Sequence, residues 1–207
     1  LPMNILSADD LTRLFSLVDL NPAEILSIPM QKMAWRNRAI MELFLATGMR
    51  CAELTKLTFA DISRENMTVF IRDGKGNKDR VVPFTPRALY WLDGYADHNR
   101  RYPVKNAVSE PVVFLNQFGR PLNEYNVSDM IDVFFKRAQI TIHRANSHLF
   151  RHTLATMLLE AGANLRHIQE VLGHKKISST EIYTHVSIGK LKEVHTQTHP
   201  ASLRPTG

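Results

Sequence analysis

The sequence predicts a mainly helical α+β fold with a small antiparallel sheet. Most of its 207 residues lie in segments whose apolar side chains recur every three or four positions, the period of a helix. Two short segments, Met67–Arg72 and Arg80–Phe84, instead alternate apolar and polar side chains on either side of a glycine-rich turn, which predicts a β-hairpin. No repeat, low-complexity tract or internal linker divides the chain, so we expect residues 1–207 to form a single domain.

Composition restricts the class of protein. A hydrophobic content of 44% with ten Phe is enough for one substantial core. The net charge of +6 favours nucleic acid or another anionic partner, although many basic proteins bind neither. The single Cys51 excludes an internal disulfide and indicates a reducing compartment. Since no apolar run approaches membrane-spanning length and no signal peptide is present, we expect a cytoplasmic protein without a membrane partner.

The first two helices are marked by their ends. Ser7 and Asp10 form an acidic capping box at the start of the first. Asn21–Pro29 is interrupted by proline, so we expect the second helix to begin near Ala34 and to stop at Gly48. Its apolar spacing predicts one buried side, formed by Ile40, Leu43, Phe44 and Thr47.

Arg50 follows that stop directly, at the start of a third short helix. It is either a solvated surface charge or a group directed across the fold, with Glu53 three residues later able to orient it.

The predicted hairpin has the tip Asp73–Lys78, which carries Lys75 between two glycines. A phosphate-binding P-loop is excluded, because the GxxxxGK[ST] spacing is missing and the segment joins two strands instead of opening a helix. Taken alone, Lys75 is more typical of a turn lysine than of a functional one.

Further elements follow the hairpin. Thr85 and Pro86 predict a helix start, with the helix running to about Arg101 and its inner face formed by Leu89, Leu92 and Ala96. Val112–Leu115 is expected to be a short buried strand, and Asn116–Pro121 a turn around Gly119.

The next helix is expected to begin at Asn123 and to carry a wide apolar stripe typical of core packing: Val127, Met130, Ile131, Phe134, Phe135 and Ala138.

The segment Ser147–His185 holds an unusual density of residues that suit phosphate chemistry. Three helices are predicted in it, one closed by Gly162, one between Asn164 and Gly173, and one opened by a capping box that would hold Tyr183 in its second turn. The residues concerned are His148, Arg151, His152, His174 and Tyr183.

Arginine and histidine at fixed spacing suit a phosphate group, and a phenol beside a phosphodiester is a candidate nucleophile. The alternative from spacing alone is ordinary surface Arg and His residues with a half-buried tyrosine. His148 and His152, four apart, have the spacing of a zinc pair, but no glutamate lies between them as in HExxH and no third ligand is indicated.

Taken together, the motifs resemble the catalytic domain of the tyrosine recombinases, the integrase family of site-specific DNA recombinases, most closely its Xer and integron or phage-integrase branches. The resemblance covers almost the whole chain. It rests on five segments in the same order: Ala46–Leu54, Gly74–Arg80, His148–Thr153, Leu172–His174 and Tyr183–Val186.

The resemblance implies a role for each matching residue. Tyr183 would attack a DNA phosphodiester to give a 3′-phosphotyrosyl link, and Arg50 and Arg151 would hold the non-bridging oxygens. Lys75 would protonate the leaving 5′-oxygen, and His148 would act as base toward the phenol.

Supporting roles are also implied. His174 would be a further phosphate donor and Glu53 would orient Arg50 or a neighbour. No metal or other cofactor is implied, and the expected DNA contacts are Lys78, Arg80 and His152.

The resemblance also implies a partner and an assembly. The family usually carries an N-terminal helical DNA-binding domain, so this chain is expected to be the C-terminal, catalytic half of a longer recombinase without that domain. We expect it to act on a double-stranded recombination site in the nucleoid, as a homo- or hetero-tetramer of recombinase protomers. The tail 184–207 either docks on a neighbouring protomer or folds onto its own domain. Two alternatives remain for the function: a non-catalytic basic DNA-binding module, and a topoisomerase IB-like enzyme that nicks and reseals.

Overall fold

The computed structural model describes residues 5–17, 28–74, 78–97, 111–141 and 146–173. Helices dominate these ranges, and the strands form one small antiparallel sheet, so the predicted fold class is confirmed. In chain order the elements are α1 (Ala8–Ser16), α2 (Ile28–Thr47), α3 (Cys51–Lys56), β1 (Ile62–Ser63), β2 (Thr68–Gly74), β3 (Lys78–Pro83), α4 (Pro86–Tyr95), α5 (Glu124–Arg137), α6 (Ser147–Glu160) and α7 (Leu165–Leu172).

Helix α2 is the centre of the fold. Every residue from Trp35 to Met49 is buried, because α4 packs against one side of the helix and α6 against another. The four residues predicted on the buried side, Ile40, Leu43, Phe44 and Thr47, are buried, but the other sides of this stretch are buried as well. The expected start near Ala34 was wrong, since the helix begins at Ile28. Pro29 falls in its first turn, where the missing N–H has no intrahelical partner to lose.

The predicted hairpin is confirmed by strands β2 and β3, which pair antiparallel with Ile71 opposite Arg80. In the described ranges the sheet has the order β1-β2-β3, and β1 is a two-residue strand that the sequence did not predict. Such a strand is too short to produce an alternating pattern. The tip of the hairpin, residues 75–77, lies outside the described residues.

Helix α4 begins as predicted, with the Thr85 side chain accepting a hydrogen bond from the Ala88 N–H and Pro86 in the first turn. The α-helical part of α4 ends at Tyr95, and Ala96 and Asp97 continue it in π-helical form. The expected end near Arg101 lies outside the described residues. On the predicted inner face, Leu92 is buried and Leu89 is partly buried against the core, while Ala96 is only partly buried. The buried face is formed by Ala88, Trp91, Leu92 and Tyr95.

The segment after residue 110 is not the strand that we expected. Val112 and Leu115 make only isolated bridges, although Val113 and Phe114 between them are buried. The Tyr95 hydroxyl holds this segment in place, because it donates to the Val113 carbonyl at 3.1 Å and accepts from the Leu115 N–H at 3.0 Å. The predicted turn follows, with Gly119 at a positive φ of 76°.

The last three described helices confirm the ends that the sequence predicts, namely the start of α5, the end of α6 and both ends of α7. Asn123 and Asn164 cap α5 and α7 with their side chains, and Gly162 and Gly173 follow α6 and α7 at positive φ. The apolar stripe of α5 is buried at Val127, Ile131, Phe135 and Ala138, while Met130 and Phe134 are partly buried against the core.

In the part of the chain that the structure describes, no helix combines the length and the apolar character needed to cross a membrane.

Candidate active site

Arg50 lies at the junction between α2 and α3. Gly48 ends α2 in the left-handed conformation, with φ at 60°, and Arg50 is the extended residue that caps α3. The Glu53 carboxylate accepts two hydrogen bonds from it, one from the backbone N–H at 2.7 Å and one from Nη1 at 2.8 Å. The Arg50 side chain is 21% exposed, so its guanidinium is oriented by Glu53 while part of it still reaches the surface.

Glu53 binds a second arginine from the sheet. Nη1 and Nη2 of Arg80 donate to the two carboxylate oxygens, each at 2.8 Å, in the fork geometry that matches a carboxylate. Burial by itself raises the pKa of Glu53, but hydrogen bonds and charge from Arg80, followed by the bonds from Arg50, lower it to about 2. Glu53 is therefore ionised at neutral pH and shared between two guanidinium groups.

Arg151 of α6 joins two helix ends. Its Nη1 donates to the Gly48 carbonyl at 2.7 Å, and its Nη2 donates to the Leu172 carbonyl at the end of α7. Its side chain is buried, with 5% of the residue exposed. Burial, then the positive charges of Arg50 and Arg80, lower the pKa of Arg151 to about 10, against an opposing effect of Glu53.

Glycine allows these helix ends to meet. A Cβ on Gly48 would lie 2.6 Å from Leu172 Cδ2, and a Cβ on Gly173 would lie 3.1 Å from Arg80 Cδ. Both residues also have a positive φ, which side-chain-bearing residues rarely adopt. The ends of α2 and α7 therefore come together around the arginines.

We call Arg50, Arg80, Arg151 and Glu53 the arginine cluster. It holds three guanidinium groups and a single carboxylate, which only Arg50 and Arg80 bind directly, and this leaves an excess of positive charge where α2, α3, β3, α6 and α7 meet. Such a cluster suits an anion with several oxygens, such as a phosphodiester.

The cluster brings together three of the residues that the sequence singled out for the site, namely Arg50, Glu53 and Arg151. Arg80 is also in it, but not as expected: the sequence suggested a DNA contact, whereas the structure buries this side chain to 4% exposure with its donors directed at Glu53 and the Val171 carbonyl. Sequence reasoning also missed the carbonyls of Gly48, Val171 and Leu172. The glycine directly after each helix is the sequence signal for them, because it marks the last turn, where carbonyl groups have no hydrogen-bond partner within the helix.

His148 and His152 lie on the exposed surface of α6, and His148 precedes the buried Arg151 by one helical turn. Among the described residues, no three His, Cys, Asp or Glu side chains come close enough to share a metal ion. Lys75, His174 and Tyr183 lie outside the described residues, as does the side chain of Lys78.

Comparison with known proteins identifies the family of this chain. The model of the phage integrase family matches residues 5–189. Tyrosine recombinase XerC 2 of Ralstonia nicotianae is 38% identical over 204 residues, which cover 99% of this chain and 55% of that protein. The chain thus spans about half the length of this relative.

Solved structures agree with the sequence relatives. The crystal structure of XerA recombinase has a TM-score of 0.71 at 28% identity, covering 97% of this chain and 66% of that one. The XerH site-specific recombinase, bound to its difH substrate in a pre-cleavage complex, has a TM-score of 0.67 at 25% identity, covering 94% of this chain and 50% of that one. With the family model, the relatives and the fold in agreement, this chain belongs to the phage integrase family of tyrosine recombinases.

Proposed function

We propose that this protein is a site-specific DNA recombinase that cleaves and rejoins DNA through a 3′-phosphotyrosyl intermediate. The observation that carries the proposal is the arginine cluster, which gathers excess positive charge around Arg50 and Arg151 in a chain of the phage integrase family. The XerH relative was solved on a DNA substrate, which supports duplex DNA as the partner here.

The reaction begins with Tyr183. Its hydroxyl attacks the phosphorus, the new Tyr–phosphate bond forms, and the bond to the 5′-oxygen breaks. Ionising a phenol of pKa about 10 at neutral pH costs roughly 4 kcal/mol, so a base is needed. His148 takes the phenolic proton, and Lys75 gives a proton to the leaving 5′-oxygen.

The cations stabilise the charge that develops on the phosphate. Arg50 and Arg151 hold the non-bridging oxygens, His174 donates to the same group, and Glu53 orients Arg50. A preorganised donor of this kind typically contributes about a hundredfold to a thousandfold in rate. Since the phosphotyrosyl link conserves the energy of the phosphoester bond that was broken, a second 5′-hydroxyl can attack it, release the tyrosine and join the strands without ATP.

DNA binding and assembly complete the proposal. Lys78 and His152 contact the duplex, and the tail 184–207 docks on a neighbouring protomer in a homo- or hetero-tetramer. Residues 1–207 form the catalytic half of a longer recombinase that works in the cytoplasm on nucleoid DNA.

The proposal is tested with a suicide duplex that carries a nick near the cleavage position, made from the DNA that flanks the gene. We expect wild type to become covalently linked to the 3′ phosphate and Tyr183→Phe to form no adduct. Tyr125→Phe is the matched control, because Tyr125 is an exposed tyrosine on α5, and it should react like wild type.

Two outcomes contradict the assignment: an adduct from Tyr183→Phe equal to that of wild type, and a link to the 5′ phosphate. Binding to the duplex without any adduct would favour the non-catalytic module. Relaxation of supercoiled plasmid without recombinant product would favour a topoisomerase-like enzyme.

A further inference from the structure

We infer that Arg80 is a positioning residue for DNA cleavage, which holds Glu53 so that Arg50 faces the phosphate, and which fastens β3 to the end of α7. The inference rests on the proposed function, and it replaces the surface DNA contact that the sequence suggested.

The first step of the argument is the direction of the Arg80 donors. Nη1 and Nη2 both serve Glu53, and Nε donates to the Val171 carbonyl at 3.2 Å. With 4% of the side chain exposed, this guanidinium has no surface to offer a DNA phosphate. A two-point fork also fixes the plane of the carboxylate, which a lysine ammonium cannot do.

The second step is that Glu53 passes this orientation on to Arg50. The same two oxygens accept from the Arg50 backbone N–H and from Arg50 Nη1. If Arg80 is removed, the carboxylate is free to turn and to pair with Arg50 alone. That pairing neutralises the cation that the phosphate requires and changes its direction.

The third step concerns the neighbouring segments. Arg80 lies on β3, in the hairpin whose tip carries Lys75, and its side chain packs against Gly173, the residue directly before His174. A Cβ on Gly173 would lie 3.2 Å from Arg80 Nε and 3.3 Å from Nη1, so the contact is tight. Arg80 thus fastens the strand that leads from Lys75 to the helix end that leads to His174.

The test compares Arg80→Met and Arg80→Lys with Arg64→Met, which removes an arginine from an exposed ion pair with Asp93. Single-turnover cleavage of the suicide duplex and DNA affinity across a salt series are measured for each. We expect Arg80→Met to cleave about a hundredfold more slowly, since small displacements of a reacting group have effects of that size. Arg80→Lys, which keeps the charge but not the fork, should be about tenfold slower.

Affinity separates positioning from DNA contact. We expect DNA affinity within about twofold of wild type for both Arg80 variants, with an unchanged salt slope. A slope reduced by about one would indicate a lost phosphate contact and would overturn the inference. Wild-type cleavage by Arg80→Met or Arg80→Lys would overturn it as well.

A second substrate tests whether the cleavage defect of Arg80→Met depends on the charge of the phosphate. A methylphosphonate linkage lacks one charged non-bridging oxygen, so it depends less on Arg50. We expect the Arg80→Met defect to be at least about tenfold smaller on this linkage than on the phosphodiester. Equal defects would indicate a general structural loss and would count against the inference.

A third readout does not require cleavage. In the nitrogen-15 spectrum of arginine side chains, the Arg50 signal, assigned with Arg50→Lys, should shift in Arg80→Met and not in Arg64→Met. An unshifted Arg50 signal overturns the inference even if the protein cleaves nothing. Failure of wild type to form any adduct contradicts instead the proposed function.

Discussion

Glu53 shows how one side chain can serve both stability and a site. It caps α3 through the Arg50 N–H, and it neutralises part of the charge of Arg50 and Arg80. Because its pKa is about 2 in the folded protein and 4.5 ordinarily, folding favours the ionised form. The resulting stabilisation is fully present above pH 4.5 and is lost as the pH falls toward 2.

We expect Glu53→Gln to lower the free energy of unfolding at pH 7 by about 3 kcal/mol, because Arg80 is left buried without its counter-charge. Urea unfolding at a series of pH values measures the effect. The difference from wild type should shrink as the pH falls below 4.5. The exposed Glu65 provides the control, since Glu65→Gln should change stability by less than about 0.5 kcal/mol. A difference for Glu53→Gln that stays constant down to pH 3 would contradict the assignment of its low pKa.

At the same scale, sequence reasoning anticipated the pairing of Arg50 with Glu53 because the two lie three residues apart at a helix start. It misassigned Arg80, whose partner Glu53 is 27 positions away. A basic residue in an alternating strand has the same local pattern whether it faces solvent or a buried carboxylate. Only the packing of β3 against α7 decides between the two.

At the scale of elements, the arginine cluster lies where the ends of helices meet. Gly48 and Gly162 both follow a helix at positive φ, but a Cβ on Gly48 would meet Leu172 and Leu154, whereas a Cβ on Gly162 meets nothing within 4 Å. The pair therefore separates backbone strain from steric crowding.

We expect Gly162→Ala to cost about 1 kcal/mol from backbone strain alone. Gly48→Ala should cost about 1 to 3 kcal/mol more, because its methyl group pushes into Leu172, whose carbonyl accepts a bond from Arg151. Denaturant midpoints of the two variants and wild type give the comparison. Equal losses for the two alanine variants would mean that the ends of α2 and α7 are not packed as described.

The helices that were predicted correctly are those whose ends are marked by capping residues. Ser7, Thr85, Asn123 and Asn164 mark starts, and each caps its helix with its side chain. The errors fall where such marks were absent or ambiguous. Pro29 reads equally well as a break or as a first turn, and β1 is too short to have a period.

At the scale of the whole molecule, a buried ionic network joins α1, α2 and α4. Arg38 is fully buried on α2, where it pairs with Glu42, donates to the Phe15 carbonyl and lies over the rings of Phe15 and Trp91. Arg87 of α4 donates to the same oxygen of Glu42 at 2.7 Å. The three helices are thus linked at the side of α2 that faces α1 and α4.

We expect Glu42→Leu to lower the free energy of unfolding by about 3 to 5 kcal/mol, since it leaves Arg38 buried without a carboxylate. Adding Arg38→Met should recover at least about 1 kcal/mol, because the two positions are directly coupled. Asp93→Asn, which breaks an exposed pair with Arg64, is the control and should cost under about 1 kcal/mol. The measurement is a double-mutant cycle by chemical denaturation, and a double variant less stable than Glu42→Leu would contradict it.

Arg151 has a structural role that does not depend on catalysis. Its guanidinium joins the chain at Gly48 to the chain at Leu172, so a protein of this fold that does not cleave DNA would still need this side chain to keep its shape. An arginine at this position in another protein is therefore weak evidence that the protein is an enzyme.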